Sequence, residues 1–348
     1  MKEKELLSKE LFFSLTLDFL DIYIPQVHNS KQTRKTYRDG LTVFRRYVTD
    51  EKHISLKKFT FAQCTFEFVL DYRNWLLDVR RYEKSTVNNR LAVLKTYLLY
   101  AASREISLQQ VYLNVTEVPF LRLPRVIRPI IDNTETLKAL LDAPPNTRLG
   151  CRDTLILSML FDTMIRVDEL VHLDVKDVRI DVEIPYLFIH GKGDKERTVA
   201  ISDGLVPLIM AYIREFYDDD HPDRMHPFFY TTIHGIDNRM SERNVERIVK
   251  KYADIVRKDH PDLPPSVYPH MFRRTRGTGL YRDGVSIEAI AVAMGHASTQ
   301  TTKDHYAFPS LEQKKAVMEQ GDGLVISKSE KREWPDNEDE IARLCGLR

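Results

Sequence analysis

Three closely spaced prolines divide this chain into two parts. They are Pro119, Pro124 and Pro129, within the segment NVTEVPFLRLPRVIRPIIDNT. Proline lacks a backbone N–H and its ring clashes with the preceding helical turn, so no helix continues through this segment. Because 348 residues are also many for a single core, we predict two domains and a linker. The predicted boundaries are 1–115 for the first domain, 116–132 for the linker, 133–320 for the second domain and 321–348 for a tail.

The two predicted domains differ in their hydrophobic patterns. In the first, apolar residues recur at helical spacing through SLTLDFLDIYI, TRKTYRDGLTVFRRYV and STVNNRLAVLKTYLLYAAS, which predicts a small helical bundle. The second begins with helical patterns and then alternates through IPYLFIH and ERTVAIS, on either side of the turn GKGDK. This alternation predicts an antiparallel hairpin. The expected fold class is therefore mainly α with a small antiparallel β-sheet.

Charge is distributed unevenly although the total is nearly balanced. The net charge is +1, from 52 Lys and Arg against 51 Asp and Glu, but basic residues cluster at 31–47, at 80–104 and in the linker. Such clusters suit a nucleic-acid backbone because phosphate contact is local, although charge alone does not separate this from solvated helix faces. The candidate DNA contacts are Lys35, Arg38, Arg90, Lys95, Arg122, Arg125, Arg128 and Arg274.

Apolar runs and cysteines indicate the compartment. No apolar run approaches the roughly 18 residues of a membrane-spanning helix, so no membrane partner is expected. Cys64, Cys151 and Cys345 are far apart, which suits free thiols better than a disulfide framework or a zinc site. We therefore expect a cytoplasmic protein.

Two short patterns could bind an anion. In PHMFRRTRG, His270 and Arg273 lie three residues apart near a predicted helix start, where free N–H groups favour anions. In TMIRVDEL, Glu169 follows Arg166 by three residues and could orient its guanidinium by a bidentate contact. Each pattern is weak alone, because a solvated histidine or a surface Arg–Glu pair gives the same letters.

Two further patterns could supply a proton donor and a nucleophile. Lys192 and Lys195 lie on the turn HGKGDKER, where a lysine is usually solvated but could be lowered into a groove to donate a proton. The segment MGHASTQTTKDHY places His296 just after a predicted helix terminator, Gly295, and ends at Tyr306. Tyrosine is a poor nucleophile at its ordinary pKa of about 10, so it needs a base and a polarised phosphate. A surface loop with a packing tyrosine is the alternative.

The order of these patterns is more specific than any one of them. Arg-xx-Glu-Leu, a Gly-Lys-Gly hairpin, His-xx-Arg, Gly-His and a later Tyr follow one another in one domain, and in this the chain resembles the tyrosine recombinase (phage integrase) family. The resemblance extends over about residues 10–320. It implies a helical, SAM-like core-binding domain and a catalytic domain that together clamp double-stranded DNA. It also implies a site-specific recombinase or integrase with a 3′-phosphotyrosine intermediate, serving integration or excision of a mobile element.

The resemblance also implies a role for each matching residue. In that family two arginines clamp the scissile phosphate, a tyrosine attacks it and a hairpin lysine protonates the leaving 5′ oxygen. One histidine manages the tyrosine proton, a second donates a hydrogen bond to the phosphate, and an acid orients the first arginine. The matching catalytic residues are Arg166, Arg273, Tyr306, Lys192, His270 and His296, and the orienting acid is Glu169. No metal or cofactor is expected, because the phosphotyrosine bond conserves the energy of the broken bond.

The resemblance also bears on how the protein assembles, and it leaves alternative functions open. The resemblance implies a homotetramer on two DNA sites that exchanges C-terminal segments, with a predicted helix at 309–320 and the tail as candidates, and it is compatible with accessory DNA-bending proteins. Three positions depart from the family pattern: Met164 stands where Gly is usual before the first arginine, Arg274 stands where His is common, and Gly277 replaces a more usual Ala. The alternatives are DNA relaxation of the type IB topoisomerase kind and a DNA-binding regulator with a silent site.

Overall fold

The protein divides into two compact units. A computed structural model describes residues 11–28, 31–124, 128–191, 196–217, 223–295 and 337–347. Most contacts are made within Met1–Val126 or within Ile127–Arg348. The division between the two units therefore falls between Pro124 and Pro129. Within the described ranges, none of the helices has the length and apolar character needed to cross a bilayer.

The first unit is built from helices around an aromatic core. Its helical segments are Thr16–Asp18, Phe19–Tyr23, Ile24–Val27, Lys31–Arg46, Tyr47–Glu51, Phe61–Gln63, Phe66–Asp78, Lys84–Arg104, Ile106–Leu108 and Gln109–Thr116. Phe12 is fully buried, and its ring centroid lies 5.0–5.3 Å from those of Phe44, Phe59, Phe61 and Tyr97. Aromatic rings bury large areas, so this cluster supplies much of the unit's apolar burial.

A glycine allows two helices of this unit to pack closely. The helices Lys31–Arg46 and Lys84–Arg104 pack together, and a Cβ at Gly40 would lie 2.7 Å from Cγ1 of Val93. Carbon atoms pack at roughly 3.5–4.0 Å, so a larger residue at position 40 would force the two helices apart.

In the residues that the structure describes, the second unit combines helices with two small antiparallel sheets. The first sheet has three strands, Val178–Arg179, Tyr186–His190 and Glu196–Ala200, and the last two pair from Tyr186 opposite Ala200 to His190 opposite Glu196. This confirms the predicted mainly α fold with a small antiparallel sheet. A second hairpin, Tyr230–Ile233 with Ile236–Arg239, was not predicted from the sequence. Its turn residues His234 and Gly235 have φ of +52° and +76°, as a two-residue hairpin loop requires.

One buried helix organises the second unit. Arg148–Asp162 buries Leu155, Ile156, Leu157, Met159 and Leu160, and packs against the helices Val206–Phe216 and Pro269–Arg282. The other helical segments among the described residues are Thr134–Asp142, Val167–Val171, Val175–Asp177, Glu242–Val256, Ile287–Met294 and Glu338–Leu344. The core is mostly aliphatic, and it holds the start of Pro269–Arg282 beside the turn that follows Arg148–Asp162.

Candidate active site

Arg166 begins a short helix and is held by an acid from the same turn. It is the N-cap of Val167–Val171, and its backbone N–H donates to Glu169 Oε2 at 2.8 Å. Its side-chain Nη1 donates to Glu169 Oε1, also at 2.8 Å. The arginine side chain is 44 % exposed, whereas that of Glu169 is 3 % exposed. One buried carboxylate therefore caps the helix and also aims a solvent-accessible guanidinium.

The bidentate partner of Glu169 is a different arginine, one that was not among the site residues predicted from the sequence. Arg197 Nη1 donates to Glu169 Oε1 at 2.8 Å and its Nη2 donates to Oε2 at 2.9 Å. The expectation that Arg166 would make the bidentate contact was therefore wrong, since Arg166 uses one guanidinium nitrogen and its backbone. The strand alternation carried a signal, because it places Arg197 on the same face as the buried Val199.

The Glu169 carboxyl is kept ionised by these contacts. Burial raises its pKa, but hydrogen bonds from Arg197 and from the Arg166 backbone, together with both positive charges, outweigh burial and lower the pKa from 4.5 to about 2. The carboxylate therefore carries a full charge near neutral pH.

Arg273 lies deeper and is held by main-chain oxygens. It is on the helix Pro269–Arg282 and is 1 % exposed. Its Nη1 donates to the carbonyl of Met164, and its Nη2 donates to the carbonyl of Met294 at 2.8 Å. Met164 lies two residues before Arg166, and Met294 ends the helix Ile287–Met294. The Arg273 guanidinium thus joins the turn that carries Arg166 to the corner that precedes His296.

The backbone conformation of Met164 accounts for the glycine that is usual at this position in the family that the chain resembles. Its φ is +53°, in the left-handed region that side chains rarely adopt. Met164 as a whole is 5 % exposed, and it packs with Ile290 and Met294. The turn therefore keeps the backbone conformation that suits glycine, while the larger residue adds apolar packing.

The other predicted catalytic residues fall into two groups. His270 is exposed on the first turn of Pro269–Arg282, so this helix carries an exposed imidazole and a buried guanidinium three residues apart. Lys192, His296 and Tyr306 lie outside the described residues. Gly295, just before His296, caps its helix with φ of +65°.

The predicted DNA contacts divide by exposure. Lys35, Arg38, Arg122 and Arg128 are exposed and Arg90 is half-buried, whereas Arg125 lies outside the described residues. The exposed set remains compatible with phosphate contact. Lys95 and Arg274 do not fit that role.

Lys95 supports the end of a helix. Its Nζ donates to the carbonyls of Thr116 and Val118 at 3.0 and 2.6 Å, and lies 4.3 Å from the centre of the Phe120 ring. Burial lowers the pKa of this lysine. Cations near a helix C-terminus satisfy carbonyls that have no helical partner, so its charge is used within the first unit.

Arg274 holds the chain that leads into the second unit. It is 1 % exposed, and its Nη2 donates to the carbonyl of Pro129 at 2.9 Å while the guanidinium lies 5.4 Å from the centre of the Tyr268 ring. The neighbouring Thr275 accepts the N–H of Ile131 at 3.0 Å. Residues 129–131 are therefore fastened to the helix that carries Arg273, and Arg274 is an internal support in this structure.

The geometry defines a class of protein. Guanidinium groups are planar and permanently charged, which suits the charged oxygens of a transferring phosphoryl group. Here the segments bearing Arg166, Arg197 and Arg273 meet at one turn and one helix end. Together with a helical unit that presents exposed basic residues, this arrangement is typical of an enzyme that transfers DNA strands.

Comparison with known proteins gives the family. The sequence model of the phage integrase family matches residues 133–312, and that of the phage integrase SAM-like domain matches residues 15–117. The chain belongs to the phage integrase family of tyrosine recombinases, which are site-specific DNA recombinases.

Relatives support this membership over most of the chain. Tyrosine recombinase XerC of Staphylococcus haemolyticus is 28 % identical over 298 residues, covering 83 % of this chain and 90 % of the relative. Tyrosine recombinase XerC of Syntrophus aciditrophicus is 27 % identical over 286 residues, covering 80 % and 87 %.

Solved structures share the fold. The XerH site-specific recombinase bound to palindromic difH substrate has a TM-score of 0.63 at 17 % identity, over 82 % of this chain and 78 % of that one. The Tn1549 transposon integrase in complex with transposon right end DNA also has a TM-score of 0.63 at 17 % identity, over 87 % and 98 %. These likenesses confirm the two-domain recombinase fold.

Proposed function

We propose that this recombinase cleaves DNA through a covalent 3′-phosphotyrosine at Tyr306. The observation that carries the proposal is the half-exposed guanidinium of Arg166, aimed by a buried carboxylate and tied through Met164 to Arg273. An accessible cation on a fixed support is what a scissile phosphate requires. The order of the motifs adds Lys192, His270, His296 and Tyr306 to the same reaction.

In the proposed reaction, the protein and the DNA supply every bond and proton that is exchanged. The Tyr306 oxygen forms a bond to phosphorus as the bond from phosphorus to the 5′ oxygen breaks. His270 receives the tyrosine proton and Lys192 donates a proton to the leaving oxygen. Arg166, Arg273 and His296 stabilise the non-bridging oxygens. A 5′ hydroxyl from the other duplex then reverses the step and completes strand exchange.

Replacing Tyr306 tests this proposal directly. A target sequence would first be selected from random-sequence duplexes by their binding to the purified protein. A nicked duplex of that sequence would then trap the cleaved state. We expect a protein–DNA adduct resistant to denaturation in the wild type and none with Tyr306→Phe, while DNA affinity changes less than about threefold, because binding is spread over many phosphates. A neighbouring substitution, His305→Phe, serves as the control and should still form the adduct. An undiminished adduct in Tyr306→Phe would refute the assignment.

The exchange that we propose is integration and excision of a mobile element, in the cytoplasm. The support is the match to the phage integrase family over residues 133–312, whereas the relatives described above carry the name tyrosine recombinase XerC. Selected target sites placed on two plasmids, or as a pair on one plasmid, distinguish joining from resolution. Products only from the paired sites would overturn integration between separate molecules and leave the cleavage chemistry intact.

We also propose that the working form is a homotetramer on two DNA sites, with exchanged C-terminal segments. A lambda integrase tetramer bound to a Holliday junction shares this fold, with a TM-score of 0.56 at 13 % identity. The mass of the complex with selected duplex, measured by light scattering, would give the stoichiometry. Four protomers on two duplexes are expected, and one protomer per duplex at all concentrations would contradict the proposal.

A further inference from the structure

Arg197 is an internal charged residue with no role in the proposed chemistry. It lies on the strand Glu196–Ala200, its side chain is 17 % exposed, and both of its terminal nitrogens bond to the two oxygens of Glu169. This strand begins at Glu196, shortly after Lys192 in the sequence. The acid that orients Arg166 is therefore itself positioned from the hairpin.

The contacts of Glu169 are saturated. Oε1 accepts from the side chains of Arg166 and Arg197, and Oε2 accepts from the Arg166 backbone and from Arg197. A carboxylate has about four lone-pair sites, so Arg197 supplies half of what fixes this group. Without Arg197, nothing in these contacts would keep the carboxylate from rotating toward Arg166 alone.

Charge gives Arg197 a second effect. Arg166 and Glu169 alone form a neutral pair, which would attract a phosphodiester anion weakly. With Arg197 the three groups carry two positive charges and one negative charge, which leaves +1 next to the exposed guanidinium. Arg197 therefore allows Glu169 to hold Arg166 in place without cancelling its charge.

Arg197 also touches the corner before His296. A Cβ at Gly295 would lie 2.7 Å from Arg197 Nε and 2.9 Å from its Cζ. The guanidinium cannot easily retreat, since Glu169 holds both of its ends. Arg273 binds the preceding carbonyl, that of Met294, at 2.8 Å, so two arginines define the position of this corner.

We propose that Arg197 is a positioning residue of the active site, one that fixes Glu169, preserves the positive charge at Arg166 and sets the corner at Gly295. This inference rests on the proposed role of Arg166 at the scissile phosphate. It differs from a simple structural ion pair, because it predicts that the charge of Glu169 becomes harmful when Arg197 is absent.

A double substitution tests that difference. Arg197→Met should lower the single-turnover rate of cleavage of the selected nicked duplex by about 10- to 100-fold at saturating DNA, less than the roughly 100- to 1000-fold cost of losing a preorganised donor itself, because Arg197 acts through Glu169. The dissociation constant should change by less than about threefold. Adding Glu169→Gln to Arg197→Met should restore at least about threefold of the rate, because it removes the uncompensated negative charge. A purely structural pair would instead give a double variant no faster than the single one, and that result would overturn the proposal.

Matched variants separate folding from positioning. Arg179→Met removes another arginine of the same sheet, which pairs with Asp181 at 3.1 Å, and should leave the cleavage rate unchanged. Arg197→Lys keeps the charge but not the bidentate fork, so it should cleave faster than Arg197→Met and slower than the wild type, and it carries the test if the methionine variant does not fold. Wild-type cleavage by both Arg197 variants, alongside loss in Arg166→Ala, would refute this inference alone. Normal cleavage by Arg166→Ala would instead refute the proposed function.

Discussion

The two arginines assigned to the scissile phosphate are held by different kinds of support. Arg166 is 44 % exposed at the start of a short helix, and its guanidinium is held by a side chain, Glu169. Arg273 is 1 % exposed within the helix Pro269–Arg282, and its guanidinium is held by the carbonyls of Met164 and Met294. The support of Arg166 is a carboxylate that can be titrated or replaced by mutation. The support of Arg273 is main chain, which substitutions retain.

The difference separates activity from stability. Arg166 can be removed without disturbing the cap of its helix, because Glu169 caps through the backbone N–H at position 166. Removing Arg273 would leave two carbonyls without their donors and a cavity the size of its side chain. Loss of a buried partner costs about 1–3 kcal/mol for each group left unsatisfied. Arg166 can therefore be replaced with little loss of stability, whereas the local fold depends on Arg273.

The largest expected effect is the contrast between Arg273→Ala and Arg166→Ala. Both should lower cleavage by at least about 100-fold, as for loss of a preorganised donor. Only Arg273→Ala should also lower the free energy of unfolding, by roughly 2–4 kcal/mol. Arg166→Ala should change it by less than about 1 kcal/mol, because the Arg166 side chain is solvent-exposed and Glu169 keeps its bonds to Arg197. Single-turnover cleavage and urea unfolding measure the two quantities.

Arg274→Ala is the matched control for this contrast. Arg274 is the next residue of the same helix and is equally buried, but its guanidinium holds Pro129. It should therefore lose stability as Arg273→Ala does and keep cleavage within about tenfold of the wild type under conditions where it is folded. Equal stability loss in Arg166→Ala and Arg273→Ala would break the distinction between the two supports.

The second expected effect is an acid sensitivity confined to the Arg166 side. The Glu169 pKa is lowered from 4.5 to about 2, so this group stabilises the folded state above pH 4.5. That contribution is lost as the pH falls from 4.5 toward 2, and it is on the order of 3 kcal/mol at most. Urea unfolding of the wild type and of Glu169→Gln between pH 7 and pH 3 should give a stability difference that shrinks as the pH falls.

Asp181→Asn provides the comparison for this titration. Asp181 also pairs with an arginine, but its side chain is 70 % exposed, so its removal should alter the pH dependence little. A difference between the wild type and Glu169→Gln that stayed constant from pH 7 to pH 3 would show that the Glu169 charge does not stabilise the fold.

The sequence predicted the parts of this site that are local and missed those that are tertiary. Alternation predicted the hairpin, and the order of motifs indicated Arg166 and Arg273, because neighbouring residues determine both signals. Arg197 was missed since its partner is Glu169, 28 positions earlier. A carboxylate with two arginine partners cannot be deduced from spacing alone.

Two basic residues were misassigned for a related reason. Charge density does not distinguish a cation that faces solvent from one that satisfies carbonyls. For Lys95 the helical period offered a warning, because Leu91 and Leu98 on the same face are buried. For Arg274 no local signal existed, since its partner Pro129 is 145 positions away.

The smallest expected effect concerns the turn that connects the two arginines. Met164 adopts φ of +53° and packs with Ile290 and Met294, so its backbone and its side chain contribute with opposite signs. Met164→Ala should lose roughly 2–3 kcal/mol of packing, in the lower part of the range for Met to Ala in a core, and keep the strained backbone. Met164→Gly loses the same packing but relieves a cost of about 1–2 kcal/mol, partly offset by the greater freedom of the unfolded chain. We therefore expect the free energy of unfolding of Met164→Gly to be about 1 kcal/mol higher than that of Met164→Ala.

Cleavage by the same pair shows which part of the turn serves Arg166 and Arg273. The contact between the arginines runs through the carbonyl of residue 164, which every substitution retains. Met164→Gly should therefore cleave within about threefold of the wild type wherever it is folded, because its backbone conformation is preserved. Equal stability of the alanine and glycine variants would mean that the left-handed turn carries no strain. A glycine variant that folds but cleaves more than tenfold slower would mean that the methionine side chain, through its packing on Ile290 and Met294, is what holds the two arginines in register.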